Sequence, residues 1–518
     1  VLCAPPRSAP GRPPTAMGSS GSIRKSSDAP QGSGELVKED RADAGAVPRP
    51  PPRSAAPPKE AWGLQAAASP KTGDGGPPAQ GLADAGGSGL VLAADVGGTN
   101  SRFMLYLVDP NEAVAVGAVA PGRLLTEKKY ANLRYSSFEA VFEAFMKDAA
   151  EEGLVTSEVR PSVACLAVAG VVEANTCRLT NLDWIIDGPM LEERFGLQCI
   201  EVINDFVAQG YGTLTLRADE KIHIYGPKTA LSGAPIACIG AGTGLGQCFL
   251  TADAEGEYTA FPSEGGHAEF APRGAGNDET QIELLRYLKV KFSGWNRISF
   301  ERVVSGKGIC NTYEFLAYKN PGRIDKKVHS EYLASRENAG IVAQNARPGT
   351  LCYETLEIFA DCYGAVCGTF ALQVMPFGGF YISGGVTQKL LSFLRETSLF
   401  LEAYHDKGRV SPMLQDVPLY IVKGDDLGQR GAHLRSVRLY QIWAKRASLT
   451  EVTEGKPVSK ARSARAVTLV PPRNAGFADI VKELSPEDTA LEASAAWGKQ
   501  VSAGAGVSLP PVRCSTPT

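Results

Sequence analysis

An apolar strand that stops at a glycine turn and resumes as a second apolar strand occurs twice in this 518-residue chain. The first copy is LVLAADVGGTNSRFMLYLV at 90–108, and the second is IGAGTGLGQCFL at 239–250. Alone, a Gly-Gly pair between β-formers is a common hairpin turn. As a pair, the turns offer backbone N–H groups and one threonine hydroxyl each, because glycine permits positive φ and close approach. Two such turns facing each other across a cleft would hold a polyphosphate.

Two common nucleotide motifs do not fit these turns. The alternating glycines of the second turn resemble a dinucleotide fingerprint, but that motif needs a helix to open at the last glycine and an acidic residue ~20 positions later. The sequence QCFLTAD that follows is strand-like instead. No Lys-Ser or Lys-Thr follows either turn, which excludes a P-loop.

Strand and helix patterns alternate along the core of the chain, which favours α/β layers. The first set has strands at 90–96, 101–108, 163–170 and 198–204, and helices near 137–151 and 188–195. The second has strands near 235–240, 246–252, 379–385 and 419–424, and helices near 278–290, 305–318, 352–374 and 431–447. Two sets predict two lobes with a cleft between them. We expect a small lobe at 89–205, completed by the helix 431–447, and a large lobe at 206–430.

The two flanks of the chain predict disordered tails. Residues 1–88 are rich in Pro, Gly, Ala and Ser without apolar periodicity, so they cannot bury enough surface to offset the entropy of ordering. Residues 448–518 are similar, although 477–497 fits one short helix. If Met17 is the true start, MGSSGS fits an N-myristoylation pattern at Gly18, against the favoured alternative of a low-complexity coincidence. An incomplete organelle-targeting segment stays open.

Composition excludes several classes of partner. The net charge of −3 and pI near 6.1 give no basic footprint for nucleic acid or an anionic membrane. Eleven cysteines without any CxxC predict reduced thiols in a cytoplasmic compartment, with neither a disulfide framework nor a zinc site. The long uncharged stretches at 234–252 and 362–388 are broken by glycines, and the second also by Pro376, so we expect no transmembrane helix.

Six segments, in order, resemble the bacterial-type glucokinase family, within the superfamily of sugar kinases, actin and heat-shock chaperone ATPases: DVGGTNSRF, VINDF, GAGTGLG, SEGGHAEFAP, ERVVSG and GGFYISGG. The resemblance spans about 90–440. It implies a two-lobed, actin-like (ribonuclease H-like) α/β fold with ATP and hexose in the interlobe cleft. It also implies phosphorylation of the 6-hydroxyl of glucose.

The alternatives are a kinase for mannose or fructose and a non-catalytic sugar-sensing protein on the same fold. A repressor of that kind would need a helix-turn-helix, which the Pro/Gly-rich N-terminus cannot form. The sequence does not decide the oligomeric state, and a homodimer is one option.

Asn204 and Asp205 end the strand CIEVIND. The local sequence favours an Asx cap for the next helix. The resemblance instead implies that Asp205 accepts the proton of the sugar 6-hydroxyl. An ordinary aspartate, with a pKa of ~3.9, is a weak base toward an alcohol. It suffices here because phosphoryl transfer is loose and the nucleophile is mainly oriented.

The resemblance assigns the remaining sugar contacts to carboxylate, imidazole and amide groups, which bind hydroxyls directionally. These are Glu264, His267 and Glu301, assisted by Asn204 and Asn181. A metal cluster at Glu264 and His267 is the rival interpretation, but no Cys-rich segment follows, so we expect no structural zinc. From its local sequence alone, Glu301 is also a plausible N-cap neighbour of the following helix.

The resemblance also assigns the nucleotide contacts. Asp95 would hold Mg²⁺ through water, since Mg²⁺ keeps several waters and needs few protein carboxylates. The first turn would lie near the γ-phosphate, the second near the β-phosphate, and a glycine pair after the strand GFYIS near the adenosine. The residues are Gly97, Gly98, Thr99 and Asn100; Gly240, Gly242, Thr243 and Gly244; and Gly384 and Gly385.

Overall fold

The computed structural model describes residues 88–179, 182–274, 278–292 and 296–453, with the side chains of 449–453 left out. The predicted tails at 1–88 and 448–518 therefore lie almost wholly outside the described residues, and so does Asn181. Everything below concerns the described ranges.

The chain alternates strands and helices. The strands are β1 Gly89–Val96, β2 Asn100–Val108, β3 Arg123–Ala131, β4 Val163–Val168, β5 Val172–Glu173, β6 Thr176–Arg178, β7 Ile185–Asp187, β8 Cys199–Asn204, β9 Lys221–Tyr225, β10 Ile236–Ala241, β11 Leu245–Ala252, β12 Tyr258–Ser263, β13 Phe380–Ser383 and β14 Leu419–Val422. The α-helices are α1 Phe138–Glu151, α2 Gly188–Phe195, α3 Asp205–Thr213, α4 Thr280–Lys291, α5 Gly306–Lys319, α6 Lys326–Ala334, α7 Asn338–Gln344, α8 Leu351–Val374, α9 Gly385–Lys389, α10 Leu391–Glu396, α11 Leu399–His405 and α12 Leu427–Thr453.

Two sheets repeat one topology. The first has the order β3-β2-β1-β4-β8, and the second has the order β12-β11-β10-β13-β14-β9. In each, three strands form an antiparallel meander, a fourth strand pairs in parallel with the first strand of the meander, and a fifth pairs in parallel with the fourth. β9 adds an antiparallel edge to the second sheet. A small third sheet consists of β5, β6 and β7. The carboxyl ends of the parallel strands in each sheet meet at one edge, where ligands bind in open α/β sheets.

Helices cover the sheets because their apolar residues recur at helical spacing. α1 buries Phe138, Val141, Phe142 and Phe145 against the first sheet, and Ser137 caps it by accepting a bond from the Ala140 amide. The second sheet packs on one side against a core built from α5, α8 and α11. These layers give the α/β fold predicted from the alternating pattern.

α3 and α12 join the two sheets. Their buried residues form one apolar cluster with residues of β1, β4, β10, β11 and β13. The helices cross very closely at two glycines. A Cβ added to Gly212 would lie 2.2 Å from the Leu427 carbonyl oxygen, and one on Gly431 would lie 1.7 Å from that of Ala208. Any larger residue at either position would force the helices apart.

Among the described residues, α8 has the length and apolar composition of a membrane-crossing helix, and 72% of its most apolar window is buried inside the protein. A buried core helix meets the same criteria. α8 is therefore weak evidence for a span, and the expectation of no transmembrane helix stays a prediction.

Several boundaries differ from the predicted ones by one or more residues, among them those of one strand and of the terminal helix. The strand predicted at 379–385 ends at Ser383, because Gly384 has a φ of +93° and is the N-cap of the short α9, which begins at Gly385. The terminal helix predicted at 431–447 begins four residues earlier and continues to Thr453. The sequence pattern also missed the edge strands β3, β9 and β12 and the short strands β5, β6 and β7; the residues of β3, RLLTEKKYA, are largely exposed and contain no apolar run.

Candidate active site

Asp205 lies where β8 ends and α3 begins. Asn204 is the N-cap of α3: its Oδ1 accepts bonds from the Phe206 and Val207 amides at 2.8 and 3.3 Å, and its Nδ2 donates to the Gly170 carbonyl at 3.0 Å. The local interpretation of this pair as a helix cap is therefore correct for Asn204. The Phe206 N–H also donates to Asp205 Oδ1 at 2.9 Å, which fixes the carboxylate and leaves Oδ2 for a ligand.

Three carboxylates converge at this point. The pKa of Asp205 is raised to about 6, mainly by burial and also by the negative charges of Asp95 and Glu264, against hydrogen bonds from Phe206 and Asn204. Asp95 belongs to the first sheet, and Glu264 follows β12 of the second. The structure thus brings residues from both sheets to one aspartate. A carboxyl with a pKa near 6 is a better proton acceptor at neutral pH than an unperturbed one.

A cavity of about 300 Å³ opens beside Asn204. Asn204, Ser263 and Glu264 contribute polar groups to its lining, and the other lining residues are apolar side chains from β8, α3, β12, β5 and the residue before β5. His267 lies next to it, with Nε2 3.7 Å from Glu264 Oε2. Both side chains are more than half exposed, at 63% for Glu264 and 55% for His267. They are therefore accessible to a polar ligand, as the predicted sugar contacts require.

Glu301 contacts the second glycine turn. Its Oε2 accepts a bond from the Leu245 amide at 3.1 Å, and a Cβ added to Gly244 would lie 2.4 Å from the same oxygen. The predicted sugar contact of Glu301 stays a prediction. The structure gives this carboxylate a second role, which is to hold the turn between β10 and β11.

The second turn is short and open at its tip. The Gly242 amide donates to the Gly244 carbonyl at 2.8 Å, the Gly306 amide donates to the Gly242 carbonyl at 2.8 Å, and Thr243 is exposed. Gly240, predicted to contact the nucleotide, lies inside β10, where a Cβ would meet Ser383 Oγ at 2.6 Å. This packing explains why position 240 is a glycine.

The predicted adenosine pair follows β13. Gly384 must be glycine, because its φ is +93° and a Cβ would lie 2.4 Å from the Ala241 carbonyl oxygen. Gly385 has open space where a Cβ would lie. The first position is thus explained by backbone geometry, and the second leaves room for a ligand.

Asp95 has the chemistry of a Mg²⁺ contact. Burial raises its pKa, against a hydrogen bond from Gln429 and the charges of Arg102 and Lys129. Within the described ranges no cluster of three or more His, Cys, Asp or Glu side chains forms a metal cage. A single carboxylate, with hard oxygen donors, beside a turn that is predicted to bind phosphate fits an ion that keeps most of its waters.

Residues 92–438 match the family model described as glucokinase, which is well over half of the chain. The chain belongs to the glucokinase family. The resemblance of its six motifs is thereby confirmed, and with it the expectation of a sugar-kinase enzyme.

Individual members of the family agree. A glucokinase of Synechocystis sp. is 38% identical over 353 residues, which cover 66% of this chain and 96% of the relative. A glucokinase of Trichormus variabilis is 35% identical over 362 residues, which cover 68% of this chain and 99% of the relative. The crystal structure of a glucokinase from an Antarctic psychrotroph is 28% identical and covers 67% of this chain and 99% of its own, with a TM-score of 0.55. This similarity confirms the predicted two-lobed α/β fold class.

Two site residues of this glucokinase-family chain were missed by the sequence reasoning. Phe206 places its ring against β10 and β11, where a Cβ on Gly246 would lie 2.0 Å from it. Gln429 on α12 donates to Asp95 Oδ2 at 3.4 Å and accepts from Arg102 Nη1 at 3.2 Å. Phe206 was findable as the neighbour of Asp205. No sequence signal pointed to Gln429, because it lies 334 positions from Asp95 along the chain.

Proposed function

We propose that this chain transfers the γ-phosphoryl group of ATP to the 6-hydroxyl of glucose. The observation that carries the proposal is Asp205, which directly follows the cavity-lining Asn204, has a raised pKa, and has one carboxylate oxygen fixed by the Phe206 amide. Family membership supports glucose as the substrate and ATP as the donor.

In the proposed reaction, the 6-hydroxyl oxygen forms a bond to the γ-phosphorus while the bond from that phosphorus to the β–γ bridging oxygen breaks. The hydroxyl proton passes to Asp205 Oδ2. Because the transition state is loose, orienting the hydroxyl contributes more than removing its proton early. The bond from the Phe206 amide supports this role, since it fixes the plane of the carboxylate.

The two glycine turns are proposed to hold the phosphates. Asp95 would hold Mg²⁺ through water, and the bound ion would neutralise charge on the transferring phosphates. Glu264, His267 and the Nδ2 of Asn204 would bind sugar hydroxyls at the cavity. Movement of the lobes about the crossing of α3 and α12 would exclude water from the site.

The test is an assay of the purified protein with Mg²⁺-ATP and a panel of glucose, mannose and fructose, with ADP and polyphosphate as alternative donors. We expect glucose with ATP to give the highest kcat/KM. Higher activity with mannose or fructose would favour the other hexose kinases. Glucose binding without any turnover would favour a sugar-sensing protein. Light scattering on the same preparation tests the homodimer.

We also propose a cytoplasmic location. Nine cysteines lie in the described part of the chain, and each has a free thiol there. Several of them are fully buried, as expected for small apolar side chains in a reducing compartment. Fractionation of the native source tests this location against an organelle.

A further inference from the structure

Asn132 is a fully buried polar residue that the proposed reaction does not use. It follows β3 and begins a one-turn 3-10 helix. Its backbone N–H donates to the Thr99 carbonyl at 2.9 Å, and its side-chain Nδ2 donates to the Gly97 carbonyl at 2.7 Å. One residue from outside the first glycine turn thus binds two of the turn's carbonyl groups.

The orientation of the Asn132 amide is fixed by a third bond. Ser101 Oγ, which is also fully buried, donates to Asn132 Oδ1 at 2.8 Å. A carboxamide oxygen accepts and its nitrogen donates, so the two bonds together permit one orientation of the group. Each of these buried groups has a partner, so exchanging or removing one leaves an unsatisfied polar atom.

These bonds compensate for the flexibility of the turn. Glycine at positions 97 and 98 lets the backbone adopt many conformations, which is costly to restrict when a ligand binds. In a trans peptide the C=O and the following N–H point in opposite directions. Drawing the Gly97 carbonyl toward Asn132 therefore turns the Gly98 N–H away from Asn132. The Gly97 amide is itself bound to the Asn100 carbonyl at 3.0 Å.

We propose that Asn132 is a positioning residue that presets the first glycine turn for the phosphates of the nucleotide. The inference rests on the proposed function, because it takes this turn to be where the ATP phosphates bind. A preset turn gains affinity because its donors need no reorganisation when the anion arrives. A residue that only stabilised the edge of the first sheet would change the melting temperature without favouring either substrate.

Asn132→Ala is the direct test, and Asn175→Ala is its matched control. Asn175 makes the same kind of bonds in the same part of the chain, with Nδ2 donating to the Ile200 carbonyl and Oδ1 accepting from the Val202 amide, both at 2.7 Å. We expect both variants to melt at lower temperature. We expect Asn132→Ala alone to raise the KM for ATP about tenfold, the scale of one lost buried hydrogen bond. Glucose binding without nucleotide, measured by calorimetry, should be unchanged in both.

Ser101→Ala is a milder variant that covers the case in which Asn132→Ala does not fold. It removes only the hydroxyl that orients the amide, and we expect a rise of about threefold in the KM for ATP, less than for losing the whole bond. Hydrogen exchange at 97–100 should be faster than in the wild type. Calorimetry with a non-hydrolysable ATP analogue should show the same loss as the KM.

Three outcomes would count against these proposals. If the wild type is active but the KM for ATP is unchanged in Ser101→Ala and in any folded Asn132→Ala, the inference is overturned and the proposed function is not. An equal rise in Asn175→Ala also overturns it, because the effect would then be general destabilisation. A wild type that binds no ATP overturns the proposed function, and the inference with it.

Discussion

Replacing Asp205 with asparagine should abolish turnover and at the same time stabilise the folded protein at neutral pH. The pKa of this carboxyl is raised from 3.8 to about 6, mainly by burial. Between these values the folded state binds a proton that the unfolded state has lost, so the free energy of unfolding falls as the pH rises through that window. Above pH 6 the ionised carboxylate is a net cost to folding.

The size of the effect follows from the two pKa values. At about 1.4 kcal/mol for each tenfold change, a rise from 3.8 to about 6 costs the folded state about 3 kcal/mol. Partial solvent contact lowers this to about 1–2 kcal/mol. Asparagine keeps an oxygen for the Phe206 amide but carries no charge to desolvate. Loss of the proton acceptor should lower kcat by about 10²–10⁴-fold.

The assay is denaturant unfolding of the wild type and Asp205→Asn at pH 4 and at pH 8, beside a coupled assay of glucose phosphorylation. We expect Asp205→Asn to be more stable at pH 8 and similar at pH 4, with glucose binding largely kept. Asp219→Asn, at an aspartate whose side chain is 76% exposed, is the control and should change neither stability nor turnover. Turnover near the wild-type rate, or an equal gain in stability at both pH values, would refute the reasoning.

Three further changes test other contacts of the site. Gln429→Leu removes the bond to Asp95 Oδ2, and we expect a higher Mg²⁺ concentration for half-maximal activity with an unchanged KM for glucose; an unchanged Mg²⁺ titration would contradict this. Gly246→Ala places a methyl group 2.0 Å from the Phe206 ring, which should destabilise the protein by about 1–3 kcal/mol and lower kcat, as thermal melting and initial rates would show. Glu301→Ala should raise both the KM for ATP and the KM for glucose, because Glu301 holds the second glycine turn. If Glu301 bound only sugar, the substitution would change only the KM for glucose.

The strands of the two sheets were predictable because each is an apolar run bounded by glycine or by polar residues. β1, β2, β10 and β11 differ from the predicted strands by one residue at most at either end. The exceptions are β3, β9 and β12, which were not predicted because their residues are largely half-buried or exposed and no apolar run marks them. Edge strands are paired on one side only, so their sequences need less apolar surface.

The sequence does not reveal which distant residues contact each other in the site, and this limited the prediction of the site. Asp205 was found through the resemblance of VINDF to the glucokinase family, because the local sequence alone favoured a helix cap at this polar pair. The contact of Glu301 with the Leu245 amide could not be found in this way, because it joins positions 56 residues apart and depends on the packing of the second sheet. The same limit applies to Gln429 and Asn132, since neither belongs to a motif.

The contacts that the sequence did not reveal share a physical role. The motifs supply the groups that are predicted to contact the ligand, namely glycine N–H groups and carboxylates, and these are recognisable because few residue types can replace them. Holding those groups in place needs only a donor or acceptor at the right distance, which many residue types at many positions can supply. Asn132 holds the first turn from the end of β3, and Glu301 holds the second from a separate 3-10 turn. Repeated sheet topology thus produced two similar turns, while different, unrelated side chains fix each of them.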